Sequence, residues 1–89
     1  MEEVVLRRSR EDILYGILKS CSFDKMSVYQ LMMSLNLSYK SLKSCLDQLV
    51  TSKLITINVE ANRRTVSTTQ EGMKAVSLYR SAISNLKRQ

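Results

Sequence analysis

No histidine and no proline occur in this chain of 89 residues, and glycine and cysteine appear twice each. The lack of histidine removes the commonest general base and metal ligand. Two glycines cannot supply a glycine-rich phosphate loop. Two cysteines make neither a disulfide framework nor a metal-type pairing. Cys21 and Cys45 sit at or beside positions predicted to face a core and read as small reduced hydrophobes, with a Cys21–Cys45 bridge as the alternative. The acidic residues form no evident pair and the cysteines have no base partner, so nothing points to catalysis. No cofactor, metal or small-molecule ligand is expected. No apolar run approaches the ~20 residues needed to span a bilayer. Glu2 and Glu3 precede the first basic residue, and no signal-peptide stretch follows, which predicts a cytoplasmic protein.

What the chain does have is apolar content and positive charge. Hydrophobic residues make up 44% of it, enough for one domain with a modest core. Fourteen lysines and arginines against eight acids leave a net charge of +6. Such a balance favours a polyanion, and charge alone leaves nucleic acid and an anionic membrane surface both open.

Residues 26–57 carry the strongest pattern. Ser27 and Gln30 have the spacing of a capping box, in which a serine hydroxyl accepts from a free backbone N–H and the glutamine reaches back to the cap. Val28, Leu31, Met32 and Leu35 then share a helical face. Asn36-Leu37-Ser38 breaks the pattern, and Leu37 is placed to plug the junction. Ser38 is the next cap. Leu42, Leu46, Leu49 and Val50 mark a second inward face, opposed by Tyr39, Lys40, Lys43, Ser44 and Asp47. Two helices joined by so short a turn cross steeply, as in a helix-turn-helix. The second of them is the element that can enter a DNA major groove. The alternative is that Lys40 and Lys43 simply solvate a surface helix.

Upstream, Ser9 to Asp12 offers another cap, followed by the stripe Ile13, Leu14, Ile17, Leu18 and Cys21. Gly16 costs helix stability and admits a close neighbour. Residues 22–25 break the pattern and suit a short strand or extended link. Downstream, residues 54–59 and 65–68 have strand chemistry around a turn at 61–63, forming a hairpin whose tip carries Arg63 and Arg64. Three helices followed by a hairpin is the order of a winged helix-turn-helix, a mainly α fold with a small β-hairpin (α+β). Thr69 then caps a last helix, with Glu71 near its positive end. Met73, Val76, Tyr79, Ile83 and Leu86 form a heptad-like stripe along it. The distal part outruns a three-helix core and is expected to dimerise, the alternative being that it folds back on its own domain. The division expected is a winged domain over residues 1–69 and a dimerisation element over 70–89, in one structural unit.

Asn36-Leu37-Ser38-Tyr39, the leucines 42, 46 and 49, Leu54-Ile55, and Thr69 with Gly72 resemble small archaeal winged-helix DNA-binding proteins. The likeness is to the basic Sulfolobus chromatin-type group with a C-terminal coiled-coil dimer helix, and Arg8-Ser9-Arg10 before Ile13-Leu14 looks like that group's first helix. The chain departs from the group at Cys45, Val66 and Glu71. The resemblance implies that the second helix of the motif reads the major groove and that the wing lies along the backbone or minor groove. A nucleoid-associated location follows if the chain is of the chromatin type.

The expected function is double-stranded DNA binding in transcription or chromatin, as a homodimer. Ser38, Tyr39, Lys40, Ser41, Lys43 and Ser44 are the candidate contacts on the recognition helix, and Arg63 and Arg64 those on the wing. Arg7, Arg8 and Arg10 are candidate supplements. Ser38, Ser41 and Ser44 read as caps and phosphate contacts rather than nucleophiles. The competing expectation is a winged-helix module that binds protein and not DNA. Membrane-surface binding through Lys74, Arg80, Lys87 and Arg88 is disfavoured by their sparseness.

Overall fold

The computed structural model describes the backbone of residues 9–87 and the side chains of residues 9–82. Seven elements follow in order: α1 (Arg10–Phe23), β1 (Met26–Ser27), α2 (Val28–Leu35), α3 (Tyr39–Thr51), β2 (Ile55–Glu60), β3 (Arg63–Thr68) and α4 (Gln70–Lys87). The strands form an antiparallel sheet in the order β1-β3-β2. This is the winged helix-turn-helix arrangement, of α+β class.

Each helix starts where a hydroxyl can satisfy it. The hydroxyls of Ser9, Ser27 and Ser38 accept from the backbone N–H groups of Asp12, Gln30 and Ser41. The α2 box is complete, since the Ser27 N–H donates to Gln30 Oε1 at 2.9 Å. Asn36 ends α2 at φ 55° and its N–H closes on the carbonyls of Met32 and Met33. Asparagine tolerates this left-handed geometry, which lets the chain reverse within a residue and start α3 at Ser38. Leu37 is half-buried in that reversal and packs on the core, as expected.

Several boundaries differ from the sequence expectation. α1 runs through Phe23, and Ser22 is accommodated within it with its Oγ donating to the Lys19 carbonyl at 2.8 Å. The short strand is Met26–Ser27, outside residues 22–25, paired with Val66 and Thr65. The hairpin turn is Ala61–Asn62, both at positive φ, between the paired residues Glu60 and Arg63. Arg63 and Arg64 therefore open β3 rather than cap the tip.

The core joins Ile17, Leu18 and Cys21 of α1, Leu31 of α2, and Leu42, Cys45, Leu46 and Leu49 of α3 with Ile55, Val66 and Val76. Val50 is not part of it. One residue beyond Leu49 the helix has turned 100°, leaving Val50 42% exposed, and Cys45 takes the fourth inward place. Both cysteines are buried and free.

α4 packs on α1. Val76 is buried, the Tyr79 ring lies 4.6 Å from that of Tyr15, and the Tyr79 hydroxyl donates to Asp12 Oδ1 at 2.8 Å. Tyr79, expected to lack a partner within one chain, thus has two, because α1 begins early enough to run beside it. Met73 is 45% exposed, and the side chains of Ile83 and Leu86 lie outside the described residues. The base of α4 is fixed to the wing. Thr69 Oγ1 donates to the Lys53 carbonyl and accepts from the Gly72 N–H, and the Thr69 N–H donates to the Leu54 carbonyl. A Cβ on Gly72 would stand 2.2 Å from that same Leu54 oxygen. Among the described residues, no helix is long and apolar enough to cross a membrane.

Candidate nucleic-acid interface

The inward side of α3 is fixed by Leu42, Cys45, Leu46 and Leu49. At 3.6 residues per turn the opposite, outward line is Lys40, Ser44, Asp47 and Thr51, all exposed. Tyr39 and Lys43 flank that line on the wing side, and Gln48 flanks it on the α1 side. Ser38 and Ser41 sit at the first turn with their hydroxyls 3.2 Å apart, the former also capping the helix.

Two arginines tie this helix to its neighbours. From β3, Arg64 Nη2 donates to the Tyr39 hydroxyl at 2.8 Å while its guanidinium lies 5.7 Å from the ring centroid. That pairing joins the wing to the start of α3. From α1, Arg10 Nε donates to Gln48 Oε1 at 2.7 Å, and its Nη2 donates to the carbonyl and hydroxyl of Ser44 at 3.3 and 3.2 Å. Arg10 thereby lies along the α1 side of the exposed α3 face.

Strand alternation sends Arg63 and Arg64 to opposite faces of β3. Both nevertheless border an open depression of about 400 Å³ whose other wall is Ser27, Val28, Tyr29 and Gln30 at the start of α2. A second depression, of about 460 Å³, lies on the α1 side between Arg10, Lys40, Ser41, Ser44 and Cys45. Lys43 is paired with Asp47 at 3.1 Å, and Lys25 with Glu60 of β2 at 3.0 Å. These exposed pairs contribute little to stability.

The structure therefore brings Tyr39 to Arg64 and Ser44 to Arg10, and it sets Lys40 and Lys43 on one exposed face between them. Arg7 and Arg8 lie outside the described residues. Two neighbours escaped the sequence reading. Gln48 holds Arg10 from 38 positions away, a contact no local spacing announces. Tyr29 is 68% exposed beside the wing arginines. Its signal was present, since it stands off the Val28–Leu31–Met32–Leu35 stripe.

Cys21 takes no part in this face. Burial pushes its thiol up to about 11, against a weaker opposing contact from the Met26 backbone. Among the described residues no three histidines, cysteines or acids gather where they would hold a metal ion.

Several solved structures share this architecture. BldR, a transcriptional regulator from Sulfolobus solfataricus, superposes with a TM-score of 0.79 at 18% identity over 83% of this chain. The chain spans only 55% of the length of BldR. Sso10a-2, a DNA-binding protein from the same organism, gives 0.78 at 23% identity over 92% of this chain and 84% of its own. MepR from Staphylococcus aureus, in complex with DNA, gives 0.74 at 20% identity over 90% of this chain and 67% of its own. At these identities the likeness is one of fold. No curated protein matches the sequence. The family profile described as winged helix-turn-helix matches residues 7–87, nearly the whole chain, and with the helix crossing, the wing and the α3 face described above it establishes that the chain belongs to the winged helix-turn-helix family.

Proposed function

We propose that this protein binds double-stranded DNA as a regulator of transcription or a chromatin component, with α3 in the major groove and the β2–β3 wing on the adjoining backbone. The Arg64–Tyr39 contact carries this reading. It makes the wing and the recognition helix one surface, bordered by Arg10, Lys40, Lys43 and Arg63, whose cations match a run of phosphates. Arginine suits the narrow minor groove beside a wing, and the N–H groups at the start of α3 favour phosphate. The fold is shared with proteins described as a transcriptional regulator and as DNA-binding, which agrees with this assignment.

The protein works as a homodimer through the distal part of α4. That helix of 18 residues is ~27 Å long, and among the described residues it packs on α1 through Ala75, Val76 and Tyr79, leaving about two turns beyond Tyr79 for a second copy. Two copies would set two α3 helices against successive major grooves, about one helical turn apart.

Duplex titration by fluorescence anisotropy tests the DNA assignment. With about six to ten phosphate contacts per dimer, affinity falls ~10³–10⁵-fold between roughly 50 and 200 mM salt. Replacing Lys40, Lys43, Arg63 and Arg64 together with alanine abolishes binding while the circular dichroism spectrum is kept. An unchanged titration would instead favour a protein partner for this face. Sedimentation equilibrium across a concentration series tests the dimer, and a strictly monomeric mass at high concentration refutes it.

A further inference from the structure

Asp47 is the one carboxylate on α3, and it lies on the outward line of the helix with its side chain 66% exposed. A surface that grips phosphates is weakened by a carboxylate in the middle of it. Its exposed pairing with Lys43 does too little for helix stability to offset that. A carboxylate is rewarded in the major groove by an exocyclic amine, and cytosine N4 is the amine whose own base presents no acceptor there. Guanine O6 and N7 and thymine O4 repel it, and adenine sets its amine beside the acceptor N7.

The geometry of the pair adds a second, independent match. Lys43 Nζ and Asp47 Oδ2 are 3.1 Å apart, a donor beside an acceptor, with both side chains more than half exposed. In a C·G base pair cytosine N4 and guanine O6 are themselves hydrogen-bonded, hence about 3 Å apart, and each keeps one hydrogen-bonding direction open to the major groove. An ammonium and a carboxylate at that separation complement the pair, the carboxylate on the amine and the ammonium on O6 or N7. We infer that Lys43 and Asp47 together read a C·G base pair, with Asp47 specifying the cytosine, so that the protein is a sequence reader rather than a purely sequence-tolerant binder. This rests on the DNA-binding assignment and goes beyond it.

The test is selection of bound duplexes from a random pool with the wild-type protein, D47A and D47N, each checked for folding by circular dichroism. The wild type enriches cytosine at one position of each half-site. D47A loses roughly 5- to 150-fold of discrimination at that position alone, and its affinity for non-selected duplex rises because a repelling charge is gone. D47N shifts the preference toward adenine, which an amide can meet in bidentate fashion. Strong binding with no enrichment, or the same cytosine preference in D47A, overturns the inference and leaves DNA binding standing. An equal loss across all duplexes in D47A also overturns it, because Asp47 would then be structural. No binding to any duplex by the wild type removes both readings.

Discussion

Replacing Gly72 with alanine should unseat the junction between the wing and α4. The added methyl would stand 2.2 Å from the Leu54 carbonyl oxygen and 2.5 Å from Thr68 Cγ2. Ordinary contact begins near 3.4 Å, so a backbone atom must retreat by more than an ångström. That carbonyl already accepts from the Thr69 N–H at 3.0 Å, and losing the bond costs about 1 kcal/mol. Thr68 cannot yield freely, because its hydroxyl donates to the Leu18 carbonyl in the interior at 2.8 Å. Overpacking of this kind costs about 1–3 kcal/mol. Alanine returns about 1 kcal/mol of helix propensity. The net loss is about 1–3 kcal/mol, which for a domain of this size lowers Tm by roughly 4–24 °C. Gly16→Ala is the internal control. Its methyl would meet only Leu35 Cδ2, at 3.3 Å, the mobile end of a side chain. G16A should leave Tm unchanged or raise it by a few degrees. Thermal melts followed at 222 nm measure both, and a G72A protein as stable as G16A would refute the reasoning.

Three further outcomes follow from the same geometry. Ala61 adopts φ 49° in the hairpin turn, where asparagine or glycine is at ease, so Ala61→Gly should raise the urea midpoint by the equivalent of about 1 kcal/mol. Cys21, with its thiol at about 11 against an ordinary 9.0, carries about 100-fold less thiolate near pH 8 than an unperturbed cysteine. Native protein should therefore resist thiol alkylation at this position until denaturant is added, and rapid labelling of Cys21 in the native state would contradict its burial. The hydrogen bond to the Asp12 carboxylate raises Tyr79 above its ordinary 10.0. The phenol is thus favoured in its protonated form on folding, so its contribution is intact below pH 10 and lost as pH rises through the folded value. Urea midpoints at about pH 8 and about pH 11 should fall less in Tyr79→Phe than in the wild type, and equal falls would show that the contact does not titrate.

The local features were legible because they are written in neighbouring residues. The Ser27–Gln30 box, the Ser38 cap and the asparagine at the turn each need only a few positions, and they fixed where α2 and α3 begin and cross. The wing followed from strand chemistry on either side of Asn62. What escaped depends on distance along the chain. β1 exists only because Met26 and Ser27 meet Val66 and Thr65, and two residues of strand carry no periodic signal. Arg10 was placed among the DNA contacts without its tether, since Gln48 and Ser44 come to it only when α1 folds across α3. Val76 was assigned to a seam between subunits because a heptad stripe looks the same whether it meets a second copy or its own α1. On the α3 face itself, Tyr39, Lys40, Lys43 and Ser44 were placed outward correctly from helical spacing alone. Their partners in the wing were not, because register decides whether Arg63 or Arg64 turns toward the helix.

Ser27 holds two posts at once, the last residue of β1 and the cap of α2. A strand of two residues has almost nothing of its own to keep it in step with its neighbour. Here the helix does it. Sliding β1 one position along β3 would drag the cap off the first turn of α2, freeing the Gln30 N–H and undoing the return bond from Gln30 to the Ser27 N–H. The register of the sheet and the start of α2 are thus tied to the same residue.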